Sequence, residues 1–337
     1  MDWPTDSGVF QLGDVVVQSG EVMRGATLSW KTHGTLSAAR DNVVVYPTSY
    51  GAQHTDLEWL IGPDGILDPT RWFIVIPDMF SNGLSSSAAT TPDYPQVVTS
   101  WDNIQAQNRL LAERFGITRI HAVYGFSMGA QQAYHWAAMF PDRVDHAFIV
   151  CGSARTATHN KVFLGGLMRI LEAAPEYEGF GRFSAPPLKA LRAMGHVYAG
   201  WGLSQDFYRA DLFKTVLGAP DLETFLRRDW EDRFAARPAA NAYAQLVTWY
   251  HGDISANPLY GGDLPLALSS IRARVMLLPS ETDLYFRVAD NAGELPHLRY
   301  GELRPIPSVF GHRAGSPGAL IPADTAFLKE AVRSFLD

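Results

Sequence analysis

Residues 120–137, IHAVYGFSMGAQQAYHWA, contain the turn that decides the fold. An apolar run, typical of a buried strand, ends at Gly125, and apolar residues resume with helical spacing after Gly129. The hydroxyl of Ser127 lies between the two glycines. In a nucleophile elbow, a sharp strand-to-helix turn strains the central residue and lifts its side chain above the sheet edge, and flanking glycines avoid steric clashes. The pattern therefore predicts that Ser127 is a nucleophile, with the N–H of Met128 facing a developing oxyanion.

Short β-branched and apolar runs recur on both sides of this turn. They lie at residues 14–18, 42–47, 72–78, 120–125, 145–150 and 273–279. They alternate with amphipathic segments, which is typical of a mostly parallel sheet covered by helices on both faces. From about residue 156 to 268 the sequence is helix-like instead. We therefore expect a core domain formed by residues 1–155 and 269–337, interrupted by a helical lid at residues 156–268.

The composition excludes several classes of function. The chain has 337 residues, of which 47% are hydrophobic, and a net charge of −7. An acidic balance argues against nucleic-acid binding, which requires clustered Lys and Arg. The single cysteine, Cys151, excludes an intramolecular disulfide, and neither a signal peptide nor a membrane-spanning run is recognisable. We expect a cytoplasmic protein that binds neither nucleic acid nor membranes.

Motifs for metals and nucleotides are missing from the sequence. His33 and His54 are isolated, and neither an H-E-x-x-H motif nor a Cys/His spacing occurs. Neither a Walker motif nor G-x-G-x-x-G follows a predicted strand. We therefore expect neither a metal nor a cofactor.

The general base should follow the nucleophile along the chain, because elbow-type triads run in the order Ser, Asp or Glu, His. His297 and His312 lie beyond the last clear core strand. His297 precedes a further predicted strand, whereas His312 follows it in a glycine-flanked loop. That loop lies at the edge of the sheet where Ser127 is expected, so His312 is the predicted base.

The acid and the second oxyanion donor are predicted from two further loops. The segment VMLLPSETDLYF, residues 275–286, offers two carboxylates after a strand. Asp283 is favoured because the apolar residues after it could anchor the loop, and Glu281 is the alternative. The loop TSYGAQHTD, residues 48–56, should supply a backbone N–H beside the nucleophile. Ser49 is the favoured donor, with Tyr50 as the alternative.

With these residues assigned, the chain resembles the homoserine transacetylase family of α/β-hydrolases. The likeness is carried by residues 60–78 (LIGPDGILDPTRWFIVIPD), 107–144, 151–160 (CGSARTATHN), 192–198 (RAMGHVY), 282–286 (TDLYF) and 311–312 (GH). The resemblance implies an α/β-hydrolase fold with a helical lid, and a homodimer. It also supports Ser127, Asp283 and His312 as a catalytic triad, because each falls in a matching motif.

Departures from the family pattern concern the substrate. Homoserine transacetylases typically read G-G-S-M-G-G at the elbow, where this chain has Phe126 and Ala130. In that family an aspartate that receives the substrate ammonium follows the catalytic histidine, whereas here Arg313 would repel it. Arg192 matches an arginine that clamps the substrate carboxylate, and its alternative interpretation is a solvated helix residue. We place Tyr50 with Phe126, Arg192 and Arg313 among the candidate substrate-binding residues.

The acyl-transfer machinery is thus intact in the sequence, while the amino-acid acceptor site is altered. Members of the same family that resemble this chain hydrolyse short alkyl acetates. We therefore expect a serine esterase acting on a small-molecule acetate ester. The alternatives are an acetyltransferase that uses acetyl-CoA and, more remotely, a non-catalytic binding protein on a hydrolase fold.

Overall fold

A computed structural model describes residues 3–336 of the chain. Its strands are β1 (Thr5–Val16), β2 (Val22–His33), β3 (Val43–Val45), β4 (Phe73–Pro77), β5 (Ile120–Phe126), β6 (Val144–Val150), β7 (Tyr177–Gly179), β8 (Arg182–Phe183), β9 (Arg274–Leu278) and β10 (Gly301–Leu303). Within the described residues, eight of them form a sheet in the order β1-β2-β4-β3-β5-β6-β9-β10, and β7 pairs with β8 outside it.

The strands from β4 to β10 in that order are parallel, whereas β1 and β2 join the edge antiparallel. Every residue of β3 and β4 is buried, as expected of strands covered on both faces. The predicted α/β-hydrolase fold, with a mostly parallel sheet between helices, is confirmed.

The antiparallel edge was predicted incompletely. β1 starts at Thr5 rather than at residue 14, and β2 was not predicted at all. Both strands mix polar and apolar residues, and Arg24 and Gly25 of β2 are exposed. Strands of such mixed composition lack the continuous apolar run that identifies the central strands.

Helices cover both faces of the sheet. They are α1 (Ser100–Arg109), α2 (Met128–Met139), α3 (Thr158–Glu172), α4 (Leu188–Gly202), α5 (Gln205–Arg209), α6 (Leu212–Thr215), α7 (Leu222–Leu226), α8 (Asp232–Ala235), α9 (Ala239–Tyr250), α10 (Leu264–Ser270), α11 (Val288–Glu294) and α12 (Pro322–Leu336). Helices α3–α9 fall inside the predicted lid segment, residues 156–268, although the division into core domain and lid stays a prediction. None of the helices in residues 3–336 combines the length and apolar character needed to cross a membrane.

Helix α2 lies at the centre of this arrangement. All of its residues are buried. Its apolar side chains share one core cluster with the strands β3, β5, β6 and β9, and with α10. A second cluster fills the opposite face of the sheet beneath α12. The helix that leaves the elbow is therefore fixed on all sides by packing.

A buried carboxyl group joins α11 to this core. Glu294 accepts hydrogen bonds from the Tyr134 hydroxyl of α2 (2.8 Å), from the Asn291 amide (2.9 Å) and from the backbone N–H of Ala154 (2.8 Å). Burial raises the pKa of Glu294 to about 7, against the opposing effect of these three donors. The charged form is therefore disfavoured in the folded state relative to the unfolded chain.

This carboxyl should make stability depend on pH. Because its pKa is higher in the folded state, its contribution is present at low pH and is lost as pH rises from about 4.5 to about 7. The free energy of unfolding of the wild type should fall by about 2–3 kcal/mol, relative to that of Glu294→Gln, between pH 4.5 and pH 8. Urea unfolding at both pH values measures the difference.

The matched control is Glu302→Gln, which changes an exposed carboxylate of β10 and should track the wild type at both pH values. A difference between the wild type and Glu294→Gln that stays constant with pH would contradict a raised pKa at Glu294.

Candidate active site

The elbow between β5 and α2 holds Ser127 in a strained conformation. Its φ is 58° and its ψ is −125°, a backbone conformation that residues other than glycine rarely adopt. A Cβ on Gly125 would lie 2.1 Å from the carbonyl oxygen of Gly129, and a Cβ on Gly129 would lie 2.7 Å from that of Pro47. Backbone therefore meets backbone on both sides of the serine, and only glycine fits at either position.

The structure brings Ser127, His312 and Asp283 into one chain of hydrogen bonds. The His312 Nε2 atom lies 2.8 Å from the Ser127 Oγ atom, and His312 Nδ1 lies 2.6 Å from Asp283 Oδ2. The other carboxylate oxygen accepts the backbone N–H groups of Tyr285 (2.8 Å) and Phe286 (3.3 Å). A carboxylate on Nδ1 leaves the unprotonated Nε2 facing the hydroxyl, so the imidazole can accept its proton.

Aromatic rings enclose the imidazole. The ring centroids of Phe126, Tyr285 and Phe286 lie 4.7, 4.9 and 5.7 Å from that of His312. The side chain of Asp283 is fully buried, and that of His312 is 11% exposed. Excluding water in this way strengthens the electrostatic interaction between the carboxylate and the ring.

The alternative acid and base lie away from this chain. Glu281 is exposed, and its backbone N–H binds the carbonyl of Ile306. His297 is exposed at the end of a short 3-10 turn, Leu295–His297. Among the described residues, neither side chain makes a hydrogen bond to the Ser127–His312 pair. Of the two candidate acids, the structure therefore places Asp283, and not Glu281, in contact with His312.

The loop after β3 contacts the elbow directly through the side chain of Ser49, a residue that the sequence analysis proposed only for its backbone N–H. The Ser49 hydroxyl donates to the carbonyl of Phe126 and accepts the backbone N–H of Gly129 at 3.2 Å. Within residues 3–336, the N–H groups of Ser49, Tyr50 and Met128 have no acceptor. All three remain available to an oxyanion beside Ser127, so the choice between Ser49 and Tyr50 stays open.

Two of the predicted substrate-binding residues line a small cavity beside this loop. The cavity has a volume of about 130 Å³, and Ser49, Tyr50 and Phe126 form part of its wall. Tyr50 stacks on Tyr198 of α4 at a centroid distance of 5.8 Å. Burial raises the pKa of Tyr50, so its hydroxyl stays protonated and donates to the carbonyl of Ala242 (3.4 Å).

The two arginines that were predicted to bind substrate, Arg192 and Arg313, do not line this cavity. Arg192 is 42% exposed and forms an ion pair with Asp232 on α8. Arg313 is half-buried, and the charges of Arg233 and Asp229 act on it. Burial, with the repulsion from Arg233, lowers its pKa. Neither guanidinium makes a hydrogen bond to the triad among the described residues, so a role of Arg192 in clamping a substrate carboxylate gains no support here.

Three helices of the predicted lid segment contribute a cluster of aromatic side chains beside the site. Phe163, Tyr198 and Trp249 pack with Met128 and with Tyr285 in one apolar cluster. They come from α3, α4 and α9. Because these helices are far apart along the chain, the sequence gives no sign that the three side chains pack together. These helices thus cover Met128 at the start of α2 and Tyr285 in the loop that bears Asp283.

One histidine that is isolated in the sequence has a partner in the structure. The His54 Nδ1 atom lies 2.6 Å from the carboxylate of Asp78, which is fully buried.

The side chains of Cys151, Asp283 and His312 place atoms that could bind a metal ion within 4.8 Å of one another. Since Asp283 and His312 already bind each other, and His312 also binds Ser127, these groups have a partner without a metal.

Comparison with known proteins gives a consistent result. Residues 56–177 match the model of the alpha/beta hydrolase fold family. The chain is 34% identical to a probable esterase of Corynebacterium glutamicum, covering 89% of this chain and 88% of that protein. It is 31% identical to an ethyl acetate hydrolase of Pseudomonas veronii, covering 97% and 95%. The crystal structure of an acetylester hydrolase from Corynebacterium glutamicum superposes with a TM-score of 0.91 at 32% identity, covering 97% and 96%.

The elbow geometry predicts which glycine tolerates a methyl group. Gly125→Ala would force the new Cβ against the carbonyl of Gly129, so it should lower the free energy of unfolding by about 1–3 kcal/mol or more. The control is Gly165→Ala in α3, where a Cβ meets nothing within 4 Å and the higher helix propensity of alanine should stabilise by up to about 1 kcal/mol. Urea unfolding measures both. Equal effects at the two positions would contradict the proposed clash.

Proposed function

This chain belongs to the family of α/β-hydrolases that also includes homoserine O-succinyltransferases, and we propose that it is a serine esterase acting on short-chain acetate esters of small alcohols. The observation that carries this proposal is the continuous line of hydrogen bonds from Ser127 through His312 to Asp283. Two relatives above 30% identity are named as a probable esterase and an ethyl acetate hydrolase, which supports an ester as the substrate class.

In the proposed first step, the Ser127 Oγ atom attacks the ester carbonyl while His312 Nε2 takes its proton. Asp283 holds the imidazole in the required tautomer and stabilises the imidazolium. The backbone N–H of Met128, with that of Ser49 or Tyr50, stabilises the tetrahedral oxyanion. The imidazolium then gives its proton to the alcohol as it leaves, and an acyl-serine remains.

In the second step, water attacks the acyl-serine. His312 again acts as the base, a second tetrahedral intermediate occupies the same oxyanion donors, and Ser127 is regenerated when acetate leaves. An acetyltransferase would differ only in that an alcohol takes the place of this water. The choice of final acceptor therefore depends on what the pocket binds beside the acyl group.

Two features favour water over an amino-acid acceptor. The position after His312 carries Arg313 rather than a carboxylate that could hold an ammonium, and Arg192, the candidate for holding a carboxylate, is paired with Asp232. The cavity of about 130 Å³ that Ser49, Tyr50 and Phe126 line adjoins the elbow, and its small size suits a short acyl or alkyl group.

Assembly and location go beyond these observations. We propose a homodimer from the family resemblance stated above, and a cytoplasmic location from the sequence. Both stay predictions.

The proposal is tested by supplying two pairs of substrates to the purified protein. Ethyl acetate in water should be consumed with release of acetate, whereas acetyl-CoA with homoserine should give no O-acetylhomoserine. Ser127→Ala should abolish the hydrolysis of both ethyl acetate and 4-nitrophenyl acetate while keeping the wild-type circular dichroism spectrum. Turnover retained by a folded Ser127→Ala protein would overturn the nucleophile assignment, and acetyl transfer to homoserine would favour the transferase.

The acid is tested by a pair of amide substitutions in one loop. Asp283→Asn should lower kcat for 4-nitrophenyl acetate by about 10⁴-fold, because the amide favours the wrong imidazole tautomer. Glu281→Gln, an exposed position two residues earlier, should leave kcat within about twofold. Steady-state kinetics decide the assignment. The reverse pattern would identify Glu281 as the acid.

A further inference from the structure

We infer that Asp78, acting through His54, is a positioning residue that sets the place of the oxyanion N–H groups, an inference that rests on the proposed esterase activity. The two residues form a second aspartate–histidine pair, outside the triad. His54 lies at the end of the loop that follows β3, and Asp78 lies directly after β4. Neither residue is part of the mechanism proposed above.

The loop that supplies the second oxyanion donor has no regular secondary structure from Tyr46 to Gln53. Its backbone must therefore be held by side chains. At its start, Ser49 binds the elbow, and Gln132 of α2 donates to the carbonyl of Thr48 (2.8 Å). These contacts fix the first half of the loop. They do not involve its far end, residues 52–54.

Asp78 fixes that far end. One carboxylate oxygen accepts the backbone N–H of His54 at 2.9 Å, and the other binds the His54 ring at 2.6 Å. The amide of Asn82 donates both to Asp78 (2.7 Å) and to the carbonyl of Ala52 (3.1 Å). The side chain of Gln53 donates to the carbonyl of Asn82 (3.2 Å). Residues 52–54 are thus joined to residues 78–82 by a network centred on one buried carboxylate.

Asp78 makes the same kinds of contact as Asp283, the proposed acid of the triad. Asp78 and Asp283 are both fully buried, and each binds a histidine Nδ1 atom at 2.6 Å while accepting backbone N–H groups. A buried carboxylate that loses a donor is costly, so such a network has one strongly preferred geometry. That rigidity is what an oxyanion hole requires, because its donors must be in place before charge develops.

The inference predicts a defect in the transition state rather than in substrate binding. Removing the clamp should let the loop shift, and a displacement of about 1 Å near reacting groups costs about 10²-fold. Asp78→Asn and His54→Ala should each lower kcat for 4-nitrophenyl acetate by about 10- to 100-fold. KM should stay within about threefold, so that kcat/KM falls in parallel with kcat.

Two further variants separate positioning from general stability. The Nδ2 atom of an asparagine occupies nearly the place of a histidine Nδ1, so His54→Asn should retain the donor and recover kcat to within a few-fold of the wild type. Asp102→Asn is the matched control: Asp102 is buried and accepts the backbone N–H groups of Gln18 and Thr99 (2.7 Å each), where it caps α1. It should lower the melting temperature and leave kcat within about twofold.

The outcomes are distinct. The inference is overturned if folded Asp78→Asn and His54→Ala keep kcat within twofold, if His54→Asn is as impaired as His54→Ala, or if Asp102→Asn loses kcat to the same extent. If Asp78→Asn does not fold, the His54 pair decides alone, since it leaves the carboxylate in place. A folded Ser127→Ala protein that still turns over substrate would instead refute the proposed function.

Discussion

The close approach of two backbone segments at the elbow is the constraint on which the site depends. Gly129 lies against the carbonyl of Pro47, and Gly125 lies against Gly129 itself. This contact sets how far the loop after β3 stands from the start of α2, and therefore where its N–H groups lie relative to Ser127. Ser49 then fastens the two segments with hydrogen bonds to Phe126 and Gly129. The strained serine persists because the surrounding packing leaves it no other conformation.

Buried carboxyl groups recur wherever loops must be held in the core. Asp283 orients the imidazole, Asp78 binds the loop after β3, Glu294 joins α11 to α2, and Asp102 caps α1. Each accepts at least one backbone N–H, so each fixes the main chain as well as a side chain. Loops without regular hydrogen bonding would otherwise leave these N–H groups unsatisfied. Buried carboxyl groups therefore stabilise the fold in some places, and in others they fix the positions of groups near the reacting atoms.

The sequence predicted the central sheet well because strands buried on both faces leave continuous apolar runs, as in β3, β4 and β6. It predicted the elbow because two glycines around one hydroxyl are a local signal. The order of residues along the chain then pointed to Asp283 and His312, which the structure places in hydrogen-bonding contact. The antiparallel strands β1 and β2 were hard to find because their sequences mix polar and apolar residues. The partnership of His54 with Asp78 was invisible, since a contact between two loops has no periodicity to reveal it.

The complete burial of α2 bears on how proteins of this architecture diversify. The nucleophile sits on an element that cannot tilt or slide without disrupting the core on every side. The segment from α3 to α9 carries the aromatic side chains above it, in an apolar cluster that meets α2 only at Met128. Substitutions there can reshape the space around the leaving group while the hydrolytic apparatus keeps its alignment. Substrate preference can therefore change through substitutions in α3–α9, while the positions of the catalytic groups stay the same.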